Sequence, residues 1–274
     1  MTATQLDKAQ RFRALHQAQG AFVIANAWDG GSARILAGLG FPALATSSGA
    51  QAGVLGRRDG QVARAEALAH CRLVVEAIDL PVSADLEKGF GDAPTAAAET
   101  IRLACETGLV GGSIEDASGD PQAPIYEFGH AVERIKAAVA AARALPIPFT
   151  LTARTENFLR GRLDLDDTIA RLRAFEAAGA DVLMAPGLPD LAAVRKVCAA
   201  LKHPYNFMAG IKGKSFTVAA LAEAGVKRVS LATSLYRAAM TGVIEAAREV
   251  KEQGTFSYLD RSIATPDLNA YLKG

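Results

Sequence analysis

Acidic side chains and one arginine stand where short apolar runs of this sequence end. Asp85 closes one such run, and Glu87 follows it by two residues. Glu115 closes the next run and Arg154 closes the one after it. Carboxylates brought together repel one another and raise each other's pKa, and a bound divalent cation relieves that repulsion. Because the candidate ligands are oxygens, without His or Cys, they favour Mg²⁺ or Mn²⁺ over zinc. One such acid alone is better explained by a salt bridge or a helix cap, whereas the whole set indicates a metal site.

These side chains need a fold that brings separate runs together. Eight apolar runs alternate with Ala-rich stretches of helical spacing, which predicts repeated βα units. The predicted strands are Ala21–Asn26, Ala43–Ser47, Val82–Asp85, Gly112–Glu115, Phe149–Arg154, Asp181–Ala185, Tyr205–Met208 and Arg228–Ala232. The predicted helices include Val62–Ala77, Thr95–Glu106, Ala131–Ala144 and Leu165–Ala177, and helices are predicted to end at Gly108, Gly179 and Gly225.

The strand pattern favours a closed barrel over an open sheet. Nearly continuous apolar strands are typical of a parallel sheet covered on both faces, and eight βα units in about 250 residues are typical of a (β/α)₈ TIM-type barrel. An open doubly wound sheet that binds dinucleotides typically has a G-x-G-x-x-G motif after its first strand. No such motif follows the first apolar run here. In a barrel the carboxyl ends of the strands share one face, so the acids and Arg154 would meet around one cleft.

Residues 1–274 are predicted to form a single domain, with 255–274 as a C-terminal packing arm against the barrel or a neighbouring subunit.

The composition argues against several other classes of protein. Lys and Arg number 30 against 29 Asp and Glu, so nothing favours nucleic acid or an anionic membrane as partner. No apolar run approaches the roughly 20 residues that span a bilayer, and residues 1–19 lack the apolar core of a signal peptide. Cys71, Cys105 and Cys198 lie far apart and are interpreted as buried free thiols, which predicts a cytoplasmic protein.

Four segments resemble motifs of the isocitrate lyase/phosphoenolpyruvate mutase superfamily, in the same order and spacing. They are Phe41–Asp59 (FPALATSSGAQAGVLGRRD), Pro81–Asp92 (PVSADLEKGFGD), Gly112–Ala117 (GSIEDA) and Ala153–Glu156 (ARTE). The second is similar to the signature D-x-[DE]-x-G-[FY]-G-D and, with IED, is the most specific. The resemblance spans about residues 26–240 and implies an enzyme that acts next to a 2-oxo acid through an enolate.

The resemblance also implies a role for each residue. Mg²⁺ would be held directly by Asp85 and mainly through waters by Glu87, Glu115 and Asp59, and it would act as a Lewis acid on the enolate. The turn Ser47, Ser48 and Gly49 would bind the substrate's carboxylate and enolate oxygen, and Arg154 its other anionic end. The catalytic residues would then be Asp85, Arg154 and Ser48. The resemblance further implies a homotetramer with exchanged terminal helices, which the tail after Gly254 could provide.

The loop after the fourth strand departs from the best-known members. Residues 116–129, DASGDPQAPIYEFG, contain no Cys, Lys or His, in place of the lyase K-K-C-G-H loop. The sequence therefore favours Mg²⁺-dependent cleavage or formation of a C–C bond in a small anionic 2-oxo or 2-hydroxy dicarboxylate, as in oxaloacetate decarboxylation, retro-aldol or retro-Claisen reactions. One alternative is P–C bond chemistry on phosphonopyruvate or phosphoenolpyruvate. The other is a non-catalytic barrel that binds a 2-oxo acid. The presence of all the acids and of Arg154 argues against this second alternative.

Overall fold

The strands form a closed barrel in the computed structural model, which describes residues 3–214 and 216–273. Each strand is parallel to the next in chain order, and the last pairs with the first. The strands are β1 (Phe22–Asn26), β2 (Leu44–Ala45), β3 (Val82–Asp85), β4 (Gly111–Glu115), β5 (Thr150–Arg154), β6 (Val182–Met184), β7 (Tyr205–Met208) and β8 (Arg228–Ser230). The predicted (β/α)₈ barrel is confirmed, and only β4 begins outside its predicted run, by one residue.

Helices surround the strands, and the apolar core lies between the two layers. The helices are α1 (Gln5–Gln17), α2 (Gly30–Gly38), α3 (Ser48–Val54), α4 (Arg64–Glu76), α5 (Pro94–Glu106), α6 (Phe128–Arg143), α7 (Leu165–Ala177), α8 (Leu191–Ala200), α9 (Val218–Glu223), α10 (Ser234–Gln253) and α11 (Thr265–Leu272), with a 3₁₀ helix at Ser257–Arg261. Asp29 and Asp164 cap α2 and α7 by accepting a backbone N–H three residues later. As predicted, Gly108, Gly179 and Gly225 follow the ends of α5, α7 and α9, with φ of +92°, +100° and +94°. In the described ranges no helix is both long and apolar enough to cross a bilayer.

The interior of the barrel contains a buried arginine among polar side chains. Arg228, on β8, donates from Nε to Asn206 Oδ1 and from Nη2 to Thr152 Oγ1, both at 2.8 Å. Its Nη1 lies 3.3 Å from Nε2 of His16 on α1, whose ring packs edge-on against Phe22 at the start of β1. Burial lowers the pKa of Arg228 to about 9, and burial together with the charge of Arg228 lowers the pKa of His16 to about 3.

After β8 the chain leaves the barrel and returns to it. Among the described residues of α10, none is buried. The arm that follows ends with α11 packed on α2, where the ring of Tyr271 would lie 2.7 Å from a Cβ added at Gly38. Arg34 Nη1 also donates to the carbonyl of Leu272 at 2.6 Å. The end of the predicted arm therefore packs on its own barrel. Residues 1, 2, 215 and 274, which the single-domain prediction includes, lie outside the described residues.

His16 is expected to make the fold less stable in acid. Its folded pKa of about 3 lies below the ordinary value of 6.5, so the unfolded chain takes up the proton as the pH falls below 6.5 while the folded protein does not. The free energy of unfolding should therefore fall by about 2 kcal/mol on this account between about pH 7.5 and pH 5. Urea unfolding at both pH values should show that the free energy of unfolding falls by about 2 kcal/mol more in the wild type than in His16→Gln. An equal loss in both proteins would exclude His16 as the group responsible.

Candidate active site

The predicted acids and Arg154 meet at the carboxyl ends of neighbouring strands. Asp85, Glu115 and Arg154 are the last residues of β3, β4 and β5, and Glu115 pairs directly with Arg154 in the strand register. Glu87 follows β3 in a left-handed backbone conformation, with φ of +49°. A cleft of about 620 Å³ is lined by Ser48, Asp59, Glu87, Glu115 and Arg154. Asp85 adjoins this cleft and lines, together with Arg154, a second cavity of about 50 Å³ that also contains Asn206 and Arg228 of the barrel interior.

The two serines of the turn between β2 and α3 have different surroundings. Ser48 Oγ donates to Asp85 Oδ2 at 3.1 Å, and the Ser48 N–H points to the same oxygen at 3.4 Å. Ser47 is buried, and its Oγ accepts the N–H of Ala50 at 3.4 Å, which caps α3. The structure therefore places Ser48 against the predicted metal ligand and the hydroxyl of Ser47 in the helix cap.

Gly49 and Asp59 lie against each other beside this turn. A Cβ at Gly49 would lie 2.9 Å from the methyl of Thr233 and 3.3 Å from Asp59 Oδ2, so a side chain at position 49 would displace its neighbours. Burial raises the pKa of Asp59, and the neighbouring side chain of Ser48 opposes this rise. The predicted substrate turn and the predicted fourth acid therefore form one packed unit.

The carboxyl groups around Asp85 lie where their charge is disfavoured. Burial, followed by the charges of Asp85 and Asp59, raises the pKa of Glu87 to about 7. Burial raises the pKa of Glu115 well above its usual range even though Arg154 opposes the shift. Burial also raises the pKa of Asp59. Buried carboxyl groups that repel one another are the situation that a bound divalent cation relieves.

The donor set fits a hydrated Mg²⁺ held by one carboxylate. Among the described residues, no three His, Cys, Asp or Glu side chains lie close enough together to chelate an ion directly. Mg²⁺ keeps several of its waters and is usually bound through one or two carboxylates. Asp85 offers a central carboxylate, and the surrounding acids Glu87, Glu115 and Asp59 offer acceptors for bound waters. All of these donors are oxygens, which suits Mg²⁺ or Mn²⁺.

Arg154 lies among acids that hold it in place. Its Nε donates to Glu156 Oε1 at 2.5 Å and lies 3.3 Å from Glu115 Oε2, while Nη1 lies 3.8 Å from Asp85 Oδ2. Burial alone would lower the pKa of Arg154, but these acids outweigh burial and raise it. The side chain is 12 % exposed, and this part lines the cleft, so Arg154 remains accessible to an anion.

Two residues of the site were given no role by the sequence analysis. Glu156 is fully buried, and Arg160 lies with its Nη2 at 3.4 Å from Glu156 Oε2 and 3.8 Å from Glu115 Oε1. Arg160 also lines the cleft. The signal was present, since Glu156 ends the ARTE segment and Arg160 follows it by four residues, the spacing of an ion pair on one helical turn.

The loop after β4 borders the cleft and is tied to the loop after β3. Lys88 Nζ donates to the carbonyl of Ser118 at 2.5 Å and to Asp92 Oδ1 at 2.6 Å. The hydroxyl of Tyr126 donates to the same oxygen of Asp92. A cation from the β3 loop therefore reaches the β4 loop, whose own sequence has no lysine.

Arg134, on α6, holds the loop that carries Glu87. Its buried guanidinium donates to four carbonyl groups of that loop, which belong to Lys88, Gly91, Asp92 and Ala93. It also lies 4.6 Å from the centre of the Tyr126 ring, in a cation–π contact. The position of Glu87 at the cleft therefore depends on a side chain that comes from outside the site.

Enzymes with a (β/α)₈ barrel build their active sites at the carboxyl ends of the strands, where this barrel gathers its acids and Arg154. The profile of the family described as phosphoenolpyruvate phosphomutase matches residues 12–251. The chain belongs to this family, within the phosphoenolpyruvate mutase/isocitrate lyase superfamily that the sequence motifs predicted.

Individual relatives match over nearly the whole chain. An oxaloacetate decarboxylase of Ectopseudomonas mendocina is 30% identical over 87% of this chain and 82% of its own. A Burkholderia cenocepacia structure, provisionally described as a lyase/mutase, is 52% identical, covers 97% of this chain and 96% of its own, and has a TM-score of 0.96. The structure of 2,3-dimethylmalate lyase is 25% identical over 99% of this chain and 95% of its own, with a TM-score of 0.87.

Removing the Arg134 guanidinium should loosen the loop that carries Glu87. Arg134→Met keeps an unbranched side chain but removes a donor from all four carbonyls, and only those of Asp92 and Ala93 keep another partner among the described residues, His130 and the N–H of Ala96. The free energy of unfolding should fall by roughly 2–4 kcal/mol. Hydrogen exchange at the amides of residues 88–93 should become faster. The control is Arg102→Met on α5, whose half-exposed side chain pairs with Glu99 and Glu106 on the helix surface; it should change stability by less than about 0.5 kcal/mol. Unchanged exchange in Arg134→Met would refute the role of this contact.

Proposed function

We propose that this protein is a Mg²⁺-dependent enzyme that cleaves or forms a C–C bond of a small 2-oxo or 2-hydroxy dicarboxylate through an enolate. Decarboxylation of an oxaloacetate-type substrate is the simplest such reaction. The observation that carries the proposal is the cleft itself, where acids surround Asp85 and Arg154 lies beside them. The similarity to an oxaloacetate decarboxylase supports the same reaction class.

The acids of the cleft are proposed to hold the metal, with Mn²⁺ as a substitute. Asp85 would be the direct ligand, and Glu87, Glu115 and Asp59 would hold the metal's waters. When bound, the metal supplies a Lewis acid for the negative charge that develops on the keto oxygen of the substrate. Ser48 already contacts the central carboxylate at 3.1 Å, so its hydroxyl would fix the orientation of Asp85.

The substrate is proposed to span the site between two anchors. The backbone N–H of Gly49, in the turn that begins at Ser47, would bind one carboxylate, since the N–H of Ser48 points to Asp85. Arg154 would bind the other anionic end across the site. In decarboxylation the bond to the leaving carboxylate breaks, CO₂ departs, and its electron pair forms the enolate, which takes up a proton at carbon. This reaction requires an electron sink and no strong acid on the β4 loop, which suits residues 116–129.

The alternative is P–C bond chemistry on phosphonopyruvate or phosphoenolpyruvate, as a mutase or a hydrolase. The description of the matching family favours it. Against it, the β4 loop has no basic residue for a phosphoryl group, and Lys88, which reaches that loop, already binds Asp92 and a backbone carbonyl. A barrel that only binds a 2-oxo acid is disfavoured because every predicted acid and Arg154 line or adjoin one cleft.

We further propose that the enzyme is a homotetramer in which α10 packs on a neighbouring subunit. Val243 and Ile244, on α10, are 59% and 54% exposed, although both are aliphatic. Phe256 and Leu259, which follow, are each 57% exposed. An apolar surface of this kind marks an association site. The exchange of terminal helices that the family resemblance implies would bury it.

The function is tested by turnover of a substrate panel. Oxaloacetate, methylisocitrate, 2,3-dimethylmalate and phosphonopyruvate should be incubated with enzyme and Mg²⁺, and the released pyruvate or other 2-oxo product measured. A dicarboxylate should be the preferred substrate, and chelation of the metal should stop its turnover. Asp85→Ala should abolish both turnover and Mg²⁺ binding in calorimetry, whereas Asp166→Ala, at a surface acid with an 85% exposed side chain, should change neither. Preference for phosphonopyruvate would favour the alternative, and wild-type Mg²⁺ affinity in Asp85→Ala would contradict the metal assignment.

The assembly is tested by placing a charge on the apolar face of α10. Ile244→Glu should convert the tetramer into smaller particles in light scattering, since a charged carboxylate cannot be buried there without a partner. Glu252→Gln is the control, because position 252 lies about 180° around the helix axis from Val243 and its side chain is 60% exposed. A truncation after Gly254 measures the contribution of the arm separately. A tetramer that survives Ile244→Glu unchanged would rule out α10 as the interface.

A further inference from the structure

The cationic side chains that line the cleft differ in whether their N–H donors already have acceptors. Lys88 has two hydrogen-bond acceptors within 2.6 Å, and Arg154 donates to Glu156 at 2.5 Å. Arg160 instead lies 3.4 Å and 3.8 Å from its nearest carboxylate oxygens, on Glu156 and Glu115. Within the described chain, the guanidinium of Arg160 makes no hydrogen bond with good geometry. Its donors therefore remain available to a molecule that enters the cleft.

Arg154 and Arg160 are arranged around a single carboxylate. Glu156 is fully buried, and its Oε1 accepts from Arg154 while its Oε2, which has no hydrogen-bond donor among the described residues, faces Arg160. Asp116 Oδ1 in turn accepts the backbone N–H of Glu156 at 2.8 Å, which fixes the position of this residue. Glu156 therefore acts as a rigid spacer between two guanidinium groups.

The two arginines lie at different depths. The side chain of Arg154 is 12% exposed, whereas that of Arg160 is 45% exposed, and both line the same cleft. Ser118, Gly119 and Asp120 of the β4 loop line the cleft as well. An anionic group that extends outward from Arg154 would therefore meet the free donors of Arg160 beneath the β4 loop.

We propose that Arg160 is a specificity-determining residue that binds, from the outer side of the cleft, the same anionic end of the substrate that Arg154 holds, and that Glu156 is the positioning residue that sets the distance between the two arginines. This inference rests on the proposed function, because it assigns an outer subsite to the same cleft. The ligand class is a 2-oxo acid with a second carboxylate on the end away from the metal. A guanidinium binds such a carboxylate with two parallel N–H donors, which a lysine cannot reproduce.

The sequence provides a matched control two residues away. Arg162 is 49% exposed and its Nη2 lies 3.5 Å from Asp167 Oδ1, so it resembles Arg160 in its exposure and in the length of its ion-pair contacts. It is not among the residues that line the cleft, all of which are described. Arg162→Gln therefore removes a comparable surface charge from the same turn without touching the subsite.

The test is calorimetry in Mg²⁺ with three probes: oxalate, 2-oxoglutarate and 2-oxopentanoate, which lacks the second carboxylate. Arg160→Gln should weaken the binding of 2-oxoglutarate by about tenfold or more, since a charge-assisted hydrogen bond is lost. It should change the affinity for oxalate and for 2-oxopentanoate by less than about twofold. Arg160→Lys should recover only part of the loss, and Arg162→Gln should behave as wild type. With oxaloacetate, Arg160→Gln should raise KM and leave kcat nearly unchanged.

Two other outcomes have separate meanings. Equal weakening of all three probes, or no weakening of 2-oxoglutarate, would overturn the outer subsite while leaving the proposed function standing. A wild-type protein that binds none of the probes in Mg²⁺ would overturn the proposed function and the subsite with it. Thermal unfolding of each variant separates loss of fold from loss of binding.

Discussion

The carboxyl-terminal face of the barrel is organised by one largely buried cation, Arg154, which lies among carboxylates. Arg154 donates to Glu156 at 2.5 Å and lies 3.3 Å from Glu115 and 3.8 Å from Asp85, so groups from β3, β4 and the turn after β5 all meet at one guanidinium. A buried charge that loses its partners is strongly destabilising. The strand ends, the acids proposed to hold the metal and the substrate anchor are therefore fixed relative to one another by the same set of ion pairs.

Two further buried arginines extend this arrangement to the loops. Arg134 binds the carbonyl groups of the β3 loop. Arg171, on α7, donates from Nη1 to Asp116 Oδ2 at 3.1 Å and to the carbonyl of Tyr126 at 3.0 Å, which spans the β4 loop. Because Asp116 also accepts the backbone N–H of Glu156, the loops after β4 and β5 share one anchor. The helices thus contribute directional contacts to the site as well as apolar packing.

Local patterns in the sequence predicted the elements and which strand ends form the candidate site, but not the partners that set its geometry. The strands were predicted because each is a short apolar run, and Asp85 and Arg154 were found because they close such runs. The cap formed by Ser47 depends on where α3 begins, which the sequence left open. Arg228 was not singled out, because its partners come from β5, β7 and α1, far away in the chain. Such contacts follow from barrel closure, which no local pattern contains.

The left-handed backbone of Glu87 bears on how this protein would respond to selection. At φ of +49° a non-glycine residue stores strain of about 1–3 kcal/mol. Glycine at position 87 would release that strain and remove the carboxylate proposed to hold a metal-bound water. A laboratory evolution campaign scored by heat resistance would therefore enrich glycine at this codon, while one scored by turnover would remove it. Position 87 is therefore a point where backbone strain lowers the stability of the fold while it orients the carboxylate proposed to hold a metal-bound water.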